Sequence, residues 1–399
     1  MKFAYTFFLI FIILKQFYVF DSGTIQPADL FLLLSLIFYL IANKFQLAIQ
    51  KIDKSLMYFL IGVVLINGFY FMFYQRTEFL FSILYYAFNF LTVITFRIYA
   101  QNELFLLKLL YIFKFNILVQ FSVYILRLGR WYLGVRYMGT FNDPNQMAFF
   151  LFITLMLMFL TSKVTNKKTG VLYYLIVTFL IMQTASTGML LAIVTFYLLN
   201  AINFIVKCNF KITVKKIIIT SSLLVALLVT AFASSDVDYQ GLINNNFLYQ
   251  RLEDKIENIF NPIRSNNSNH RELSTIEERG IDKLLLYPEK LIFGAGQGYY
   301  SRFEKAAHNG EIHSTLPSIL FYYGIFPLFL LIMWFVNNIK KMTSYNIVVF
   351  VPLLLESFTL LNQRQPFFWM TFVLSSVLLL NHNYSKTVNS KQPTLKAKK

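Results

Sequence analysis

Long apolar runs separated by short polar connections are the feature that most constrains this fold. Each run is long enough to cross the roughly 30 Å hydrocarbon core of a bilayer as a helix. Only 14% of the residues are charged, against roughly 25% in a typical soluble domain. Stretches such as 217–233 lack the polar and apolar alternation of a membrane β-barrel. The sequence therefore predicts an all-α, polytopic membrane protein.

Twelve membrane helices are expected from these runs. They lie near residues 3–20, 26–42, 55–74, 79–96, 104–126, 146–162, 170–185, 187–206, 216–233, 315–336, 345–361 and 366–381. Helices one to nine therefore occupy residues 1–233, and helices ten to twelve occupy residues 315–381. Between them lies a hydrophilic loop, residues 234–314, and residues 382–399 form a basic tail.

Lysines cluster in alternate connections between the predicted helices. They are Lys44, Lys51 and Lys54; Lys163, Lys167 and Lys168; Lys207, Lys211, Lys215 and Lys216; Lys340 and Lys341; and Lys386, Lys391, Lys396, Lys398 and Lys399. By the positive-inside rule these connections are cytoplasmic. Both termini are then cytoplasmic and residues 234–314 are outside. The net charge of +17 is dispersed along the chain, which argues against a nucleic-acid groove.

Arginine, in contrast, occurs in the short connections predicted to be outside. These residues are Arg76, Arg127, Arg130, Arg136 and Arg364. A guanidinium binds phosphate or pyrophosphate in bidentate fashion better than an ammonium does. The alternative is snorkelling towards lipid headgroups, and both interpretations stay open for the first three. Lys15, Lys108 and Lys114 fall inside predicted spans, where structural pairing competes with a functional role.

The outer loop has the pattern of an ordered segment. Apolar residues recur at helical spacing over 248–259 and again over 276–285, which predicts two amphipathic helices at the membrane surface. Three glycines follow, Gly294, Gly296 and Gly298. Glycine permits tight backbone turns close to a ligand, so we expect Gly294 and Gly296 to fold the loop back towards the membrane.

Three segments predicted to lie on the outer side carry candidate chemistry. The first is Arg136–Asn145, the second is Ser186-Thr187-Gly188, and the third runs from the glycine turn through His308 and His313 to Gly324. In order and spacing they resemble the O-antigen ligase and polymerase superfamily. Its members carry an Arg-x-x-Gly-x-Phe-x-x-Pro-Asn type segment, a Ser-x-Gly turn, and a large outer loop. That loop ends in Gly-x-Gly and a histidine followed eleven residues later by a glycine.

The resemblance implies transfer of a glycan from a polyprenyl pyrophosphate lipid to an acceptor hydroxyl. The reaction takes place on the outer face of the bacterial cytoplasmic membrane. The expected partners are this lipid-linked donor, the acceptor, membrane lipids, and flippase and chain-length regulator proteins. No acidic cluster with metal-ligand spacing occurs in the outer loops, so a metal-independent enzyme without a cofactor is expected.

Roles follow residue by residue from the resemblance. His313 has the family spacing to Gly324 and would act on the acceptor hydroxyl as a base or orienting group, with His308 as the fallback. The alternative for His313 is an interfacial histidine that caps helix ten. Arg136 and Arg271 would bind pyrophosphate, and Arg279 competes with Arg271 for that role.

Other candidates have open alternatives. Arg364 is a third pyrophosphate ligand or a structural residue at a helix end. Asp143 and Asn145 are expected to cap the sixth helix and shape the turn rather than touch substrate.

Three functions remain open at this stage. The favoured one is a polymerase of O-antigen, capsule or exopolysaccharide repeat units, and the nearest rival is a ligase that moves a finished glycan onto another acceptor. A flippase or transporter of the same lipid-linked sugar is the third. It would need a polar path through the helices, whereas polarity here is concentrated in the outer loop.

Overall fold

The computed structural model describes residues 1–20, 26–207, 275–339, 344–358 and 360–390, which are mostly helical. The predicted ninth helix, the amphipathic segment 248–259 and Arg271 lie outside the described residues. The helices are α1 Lys2–Leu14, α2 Pro27–Ala42, α3 Lys54–Tyr74, α4 Glu78–Tyr99, α5 Glu103–Ile125, α6 Pro144–Val164, α7 Val171–Gln183, α8 Thr187–Lys207, α9 Thr275–Glu278, α10 Lys283–Leu286, α11 Lys290–Phe293, α12 Thr315–Tyr323, α13 Ile325–Ile339, α14 Ser344–Ser357 and α15 Pro366–Ser390.

Short elements join these helices. Strands β1 Arg130–Tyr132 and β2 Arg136–Gly139 pair antiparallel as a hairpin between α5 and α6. Three 3-10 turns are Lys51–Asp53, Tyr300–Arg302 and Asn362–Arg364. The hairpin was not predicted from the sequence.

Several helices are suited to a membrane. By length and composition, five described segments can cross one: Lys51–Tyr74, Glu78–Tyr99, Glu103–Ile125, Pro144–Val164 and Thr187–Val206. Further apolar helices are shorter, at 10–17 residues. The helical membrane-protein class is thus supported by the structure, while the count of twelve spans stays a prediction.

Helix α6 is the most enclosed of the five, because 89% of its apolar window is buried inside the protein. It packs against α5, α7 and α15. A helix that is apolar on all sides belongs in such a position. Because α6 is enclosed by other helices, the residues at its start, from Asp143 onwards, have a fixed position in the bundle.

The first predicted helix ends earlier than expected, at Leu14 instead of residue 20. Two buried polar side chains explain the difference, because each finds its partner outside the helix. The Lys15 ammonium lies 2.6 Å from Asp29 Oδ1, and Gln16 Nε2 donates to Asn116 Oδ1 at 3.1 Å. The structural pairing considered for Lys15 is therefore confirmed.

The other two intramembrane lysines belong to α5. Lys114 Nζ donates to the carbonyl oxygen of Lys168 at 3.3 Å and lies 5.5 Å from the centre of the Tyr173 ring. Lys168 belongs to a connection predicted to be cytoplasmic. Lys108 is exposed about 1.7 turns closer to the start of α5. The contacts of Lys114 are structural.

The predicted tenth helix, residues 315–336, is divided into α12 and α13 at Gly324. This glycine has a φ of +78°, and a Cβ atom there would lie 2.3 Å from the carbonyl oxygen of Ile292. The predicted amphipathic run 276–285 is likewise divided, into α9 and α10, at Gly280 with a φ of +66°. Residues that carry a side chain rarely adopt a positive φ, so a glycine interrupts each predicted helix at that point.

One end of the bundle is closed by a buried ion pair. Arg97 Nε lies 2.6 Å from Asp53 Oδ2, and Arg97 Nη2 lies 2.8 Å from Asp53 Oδ1. Trp334 Nε1 also donates to Asp53 Oδ1 at 2.9 Å, while Arg97 donates to Asn338 Oδ1 and Ser376 Oγ. The network joins the start of α3 to the ends of α4 and α13 and to α15. Sequence reasoning predicts these ends to be cytoplasmic.

Three connections predicted to be outside contact one another in the structure. Tyr18 N donates to Thr140 O at 3.2 Å, and Asn142 Nδ2 donates to Phe20 O at 2.8 Å. Gln365 Nε2 lies 3.4 Å from the Tyr18 hydroxyl. The segments after α1, before α6 and before α15 are therefore neighbours.

We expect Asp53→Ala to destabilise the fold by about 3–5 kcal/mol, because it leaves the Arg97 charge buried without its carboxylate. Thermal or denaturant unfolding of the purified protein measures the change. The exposed neighbour Lys54 supplies the control, since Lys54→Ala should change stability by less than about 0.5 kcal/mol. Equal stability of the two variants would contradict a stabilising role for this ion pair.

Candidate functional site

The segment before α6 brings the first two sequence motifs together. Asp143 Oδ1 accepts hydrogen bonds from the backbone nitrogens of Asn145 and Gln146 at 2.8 and 3.1 Å, which confirms that Asp143 caps the helix. Arg136 is buried, and its Nε donates to Thr184 O at 2.9 Å. Its Nη2 donates to Asn145 Oδ1 at 2.9 Å. Arg136 therefore joins the start of α6 to the turn that precedes Ser186.

The glycine turn packs directly against α12. Ala295 N donates to Phe321 O at 2.9 Å and Gly296 N donates to Tyr322 O at 2.8 Å. Gly294 has a φ of +83°, and a Cβ atom there would meet Tyr322 O at 2.6 Å. Gly296 has a φ of +68°, and a Cβ atom there would lie 2.6 Å from Tyr70 Cδ2. At Gly294 and Gly296 glycine is therefore required by backbone angle and by space. The turn thus packs the loop against α12, and a location next to the membrane stays a prediction.

Gln297 in this turn is the centre of a buried hydrogen-bond network. Its backbone nitrogen donates to Asn67 Oδ1 at 2.9 Å, and its Oε1 accepts from the Tyr323 hydroxyl at 2.7 Å. Its Nε2 donates to the carboxylate of Glu311. Contacts from α3, α12 and the loop therefore fix the amide, and the amide in turn orients Glu311.

Glu311 forms an ion pair with Arg364, which precedes α15. The face of the guanidinium lies 5.3 Å from the centre of the Tyr85 ring. Burial lowers the pKa of Arg364, but the Glu311 carboxylate together with Tyr300, Tyr85 and Tyr86 outweighs burial, and the pKa lies above its ordinary value. Its side chain is 29% exposed, and its buried Nε makes no hydrogen bond to any described residue. Glu311 thus holds the guanidinium through Nη2, and part of the side chain stays exposed.

His313 lies beside this ion pair at the surface. Its backbone nitrogen donates to Arg279 O at 2.9 Å, and Arg279 Nη1 is 3.5 Å from His313 O. The protein packed around the imidazole lowers its pKa, Glu311 opposes that effect, and the positive charges of His308, Arg364 and Arg279 lower it further. The side chain is nevertheless exposed. At neutral pH an uncharged imidazole is therefore accessible from outside the protein.

His308 is the neighbour of His313, with ring centres 5.4 Å apart. Lys283 Nζ fixes the backbone of this stretch by donating hydrogen bonds to His308 O at 2.5 Å and Gly310 O at 2.9 Å. Burial and the Lys283 charge lower the pKa of His308. The two histidines thus share one surface.

Hydrogen bonds join the start of α12, which follows His313, to the segment after α14. Thr315 Oγ1 donates to Leu360 O at 2.8 Å and accepts from Asn362 N at 3.0 Å. Gln363 Nε2 donates to Ser318 Oγ at 3.0 Å. These bonds join the turn that carries Arg364 to the helix that follows His313.

A small cleft lies between the segment before α6 and the turn before α15. It is narrow, and it is bordered by Phe141 and Gln146 on one side and Gln365 on the other. Phe141 and Gln146 flank Asn145, the partner of Arg136, whereas Gln365 follows Arg364. The motif before α6 and the turn before α15 therefore border the same cleft.

Arg279, His313 and Arg364 are brought together, whereas the contacts of Arg136 are with Asn145 and Thr184. Sequence reasoning missed Gln297 and Glu311, although both carry a signal. Gln297 stands within the glycine-rich turn, and Glu311 precedes His313 by two residues.

Sequence reasoning also missed Arg302. Its guanidinium carbon lies 4.9 Å from the centre of the Tyr70 ring and 5.1 Å from that of Phe79. It also donates to the carbonyl oxygens of Ala295 and Gly296. Arg302 thus fastens the glycine turn to α3 and α4, and nothing in the local sequence indicates this.

No protein-family model matches this chain, and no curated protein sequence matches it. The function is therefore inferred from the site.

Proposed function

We propose that this chain is a metal-independent glycosyltransferase of the bacterial cytoplasmic membrane. It polymerises polyprenyl-pyrophosphate-linked oligosaccharide repeat units of an O-antigen, capsule or exopolysaccharide on the outer face. The observation that carries the proposal is the meeting of Arg279, His313 and Arg364, from three separate stretches of chain, at one surface of an apolar helix bundle.

Arg364 binds the pyrophosphate of the donor. Glu311 and Tyr85 fix the guanidinium before any ligand arrives, so little reorganisation is needed when charge develops on the leaving group. A planar guanidinium can offer two parallel N–H groups to phosphate oxygens. Arg279, whose Nη1 lies 3.5 Å from His313 O, adds a second positive charge at this surface, and Arg136 and Arg271 are further candidates for the same ligand.

His313 acts on the acceptor hydroxyl. The hydroxyl oxygen forms the new bond to the anomeric carbon, and the bond from that carbon to the pyrophosphate oxygen breaks. The hydroxyl proton passes to the imidazole, and the lipid pyrophosphate leaves with the electron pair. A histidine that stays uncharged at neutral pH is suited to accept this proton.

The orientation in the membrane supports an extracytoplasmic site. With twelve spans and lysine-rich connections inside, both termini are cytoplasmic. Residues 275–314 and Arg364 then face outwards, where a flippase delivers the donor and a chain-length regulator acts on the product. Nucleotide sugars are cytoplasmic, so the energy for transfer must already reside in the donor.

A ligase that transfers a finished glycan to another acceptor remains an alternative, because it uses the same donor chemistry. The lipid-linked product that accumulates without the protein separates the two. Single repeat units indicate a polymerase and long chains a ligase. A flippase is disfavoured, because the candidate site residues gather in the loop and the adjoining turns, whereas charged groups within the bundle such as Arg97 and Asp53 are buried and paired with each other.

We expect His313→Ala to reduce polymer formation in proteoliposomes by about 10²–10⁴-fold, the usual contribution of a general base. The wild-type rate should fall on acidification only below pH ~6.5, the ordinary histidine value. The lowered pKa of His313 keeps the active, uncharged form present to more acidic pH. The residual rate of the variant should not show this fall on acidification, which we call the acidic limb.

His308→Ala is the matched control, since it removes a neighbouring imidazole whose pKa is also lowered. The His308→Ala variant should keep both the wild-type rate and the acidic limb of the pH profile. Loss of the limb in His308→Ala, with an unchanged profile in His313→Ala, would transfer the role to His308. An unchanged rate in both variants would reject a histidine base.

Substitution Arg364→Lys should lower kcat by about 10²-fold, because lysine keeps the charge but not the fork that stabilises the leaving diphosphate. The rate of polymerisation by reconstituted protein gives the answer. Lys305, an exposed cation of the outer loop, is the control, and Lys305→Ala should be fully active. Full activity of Arg364→Lys would exclude a bidentate role for Arg364.

A further inference from the structure

The hairpin between α5 and α6 presents an unusually apolar outer face. Its strands pair Trp131 with Tyr137 and Tyr132 with Arg136. The tip residue Leu133 is 82% exposed, and Leu128 before the first strand is 72% exposed. Large apolar side chains that protrude together mark a surface that binds something other than water.

The inner face of the hairpin is firmly attached to the bundle. The Tyr137 ring is buried, with ring centres 5.0 Å from Tyr124 and 5.2 Å from Trp131. Arg130 Nη1 donates to Asn142 Oδ1 at 2.6 Å. An isolated two-stranded hairpin is marginally stable at best. These contacts therefore hold the strands and keep the apolar tip pointing outwards.

The exposed face continues the outer surface of α5, one of the helices apolar enough to cross a membrane. Ile125, the last residue of that helix, and Leu126, which follows it, are 60% and 65% exposed. Leu128 and Leu133 extend the same apolar surface beyond the helix end. A surface that is continuous with a lipid-facing helix has lipid as its neighbour.

The residue types around the tip are those of the membrane interface. Trp131 and Tyr132 are both partly exposed, and their amphipathic rings are favoured at the level of the headgroups. Arg127 stands between Leu126 and Leu128, where a guanidinium can reach lipid phosphate. Residues 127–135 thus combine apolar, aromatic and basic side chains in one short segment.

We propose that residues 127–135 are seated in the headgroup region of the bilayer, with Leu133 at the deepest point. The binding partner is the phospholipid surface itself. The hairpin then fixes the depth of Arg136, which begins its second strand. This inference requires only that α5 crosses the membrane, and it holds whether or not the protein is a glycosyltransferase.

Tryptophan fluorescence tests the proposal directly. The chain has three tryptophans, of which Trp334 and Trp369 are buried and Trp131 is 43% exposed. The full chain is reconstituted into phosphatidylcholine–phosphatidylglycerol vesicles, and the emission of Trp131 is obtained by subtracting that of the Trp131→Phe variant. Lipids brominated near the headgroup end of the acyl chain should quench most of this emission. Aqueous iodide should quench little.

Two other results would overturn the proposal. Strong quenching by iodide without quenching by brominated lipid would place the hairpin in water. Resistance to both would show that protein covers it, either a second copy or another partner. Leu133→Glu is the second variant. It should make Trp131 accessible to iodide while the buried tryptophans stay protected, and unchanged lipid quenching would show that the tip does not insert.

Discussion

The ion pair between Glu311 and Arg364 joins two stretches of chain that are far apart in sequence, and the site depends on it. Glu311 belongs to the loop, whereas Arg364 belongs to the turn before α15. Without the carboxylate, Arg364 would have no fixed orientation beside His313. Without the arginine, Glu311 would be a buried charge, which a protein avoids unless it is paired. Loop and bundle therefore fix each other.

Glycine makes this arrangement possible. Gly324 divides one predicted span, and the gap is occupied by the backbone of Ile292. Gly294 lies against the same helix, and Gln297 then reaches Glu311. Small residues thus allow close backbone contact, the contact places an amide, and the amide orients the carboxylate. A rigid support of this kind is what a site for a charged leaving group requires.

Sequence periodicity predicted the helical class, most helix positions and the cap at Asp143, because burial in lipid and helix capping are local properties of the chain. It also placed Arg279, His313 and Arg364 on one side, and the structure brings these three together. It did not predict the break at Gly324 or the early end at Leu14. Both depend on partners distant in sequence, as do the roles of Glu311 and Arg302.

The most direct test of the central claim is an electron cryomicroscopy map of the protein in lipid nanodiscs with a polyprenyl pyrophosphate bound. The account predicts diphosphate density within hydrogen-bond distance of Arg364 and beside Arg279, with the His313 imidazole facing the phosphate-linked end of the ligand. Density at the opposite end of the bundle, near Asp53 and Arg97, or a diphosphate that contacts none of these arginines, would contradict it.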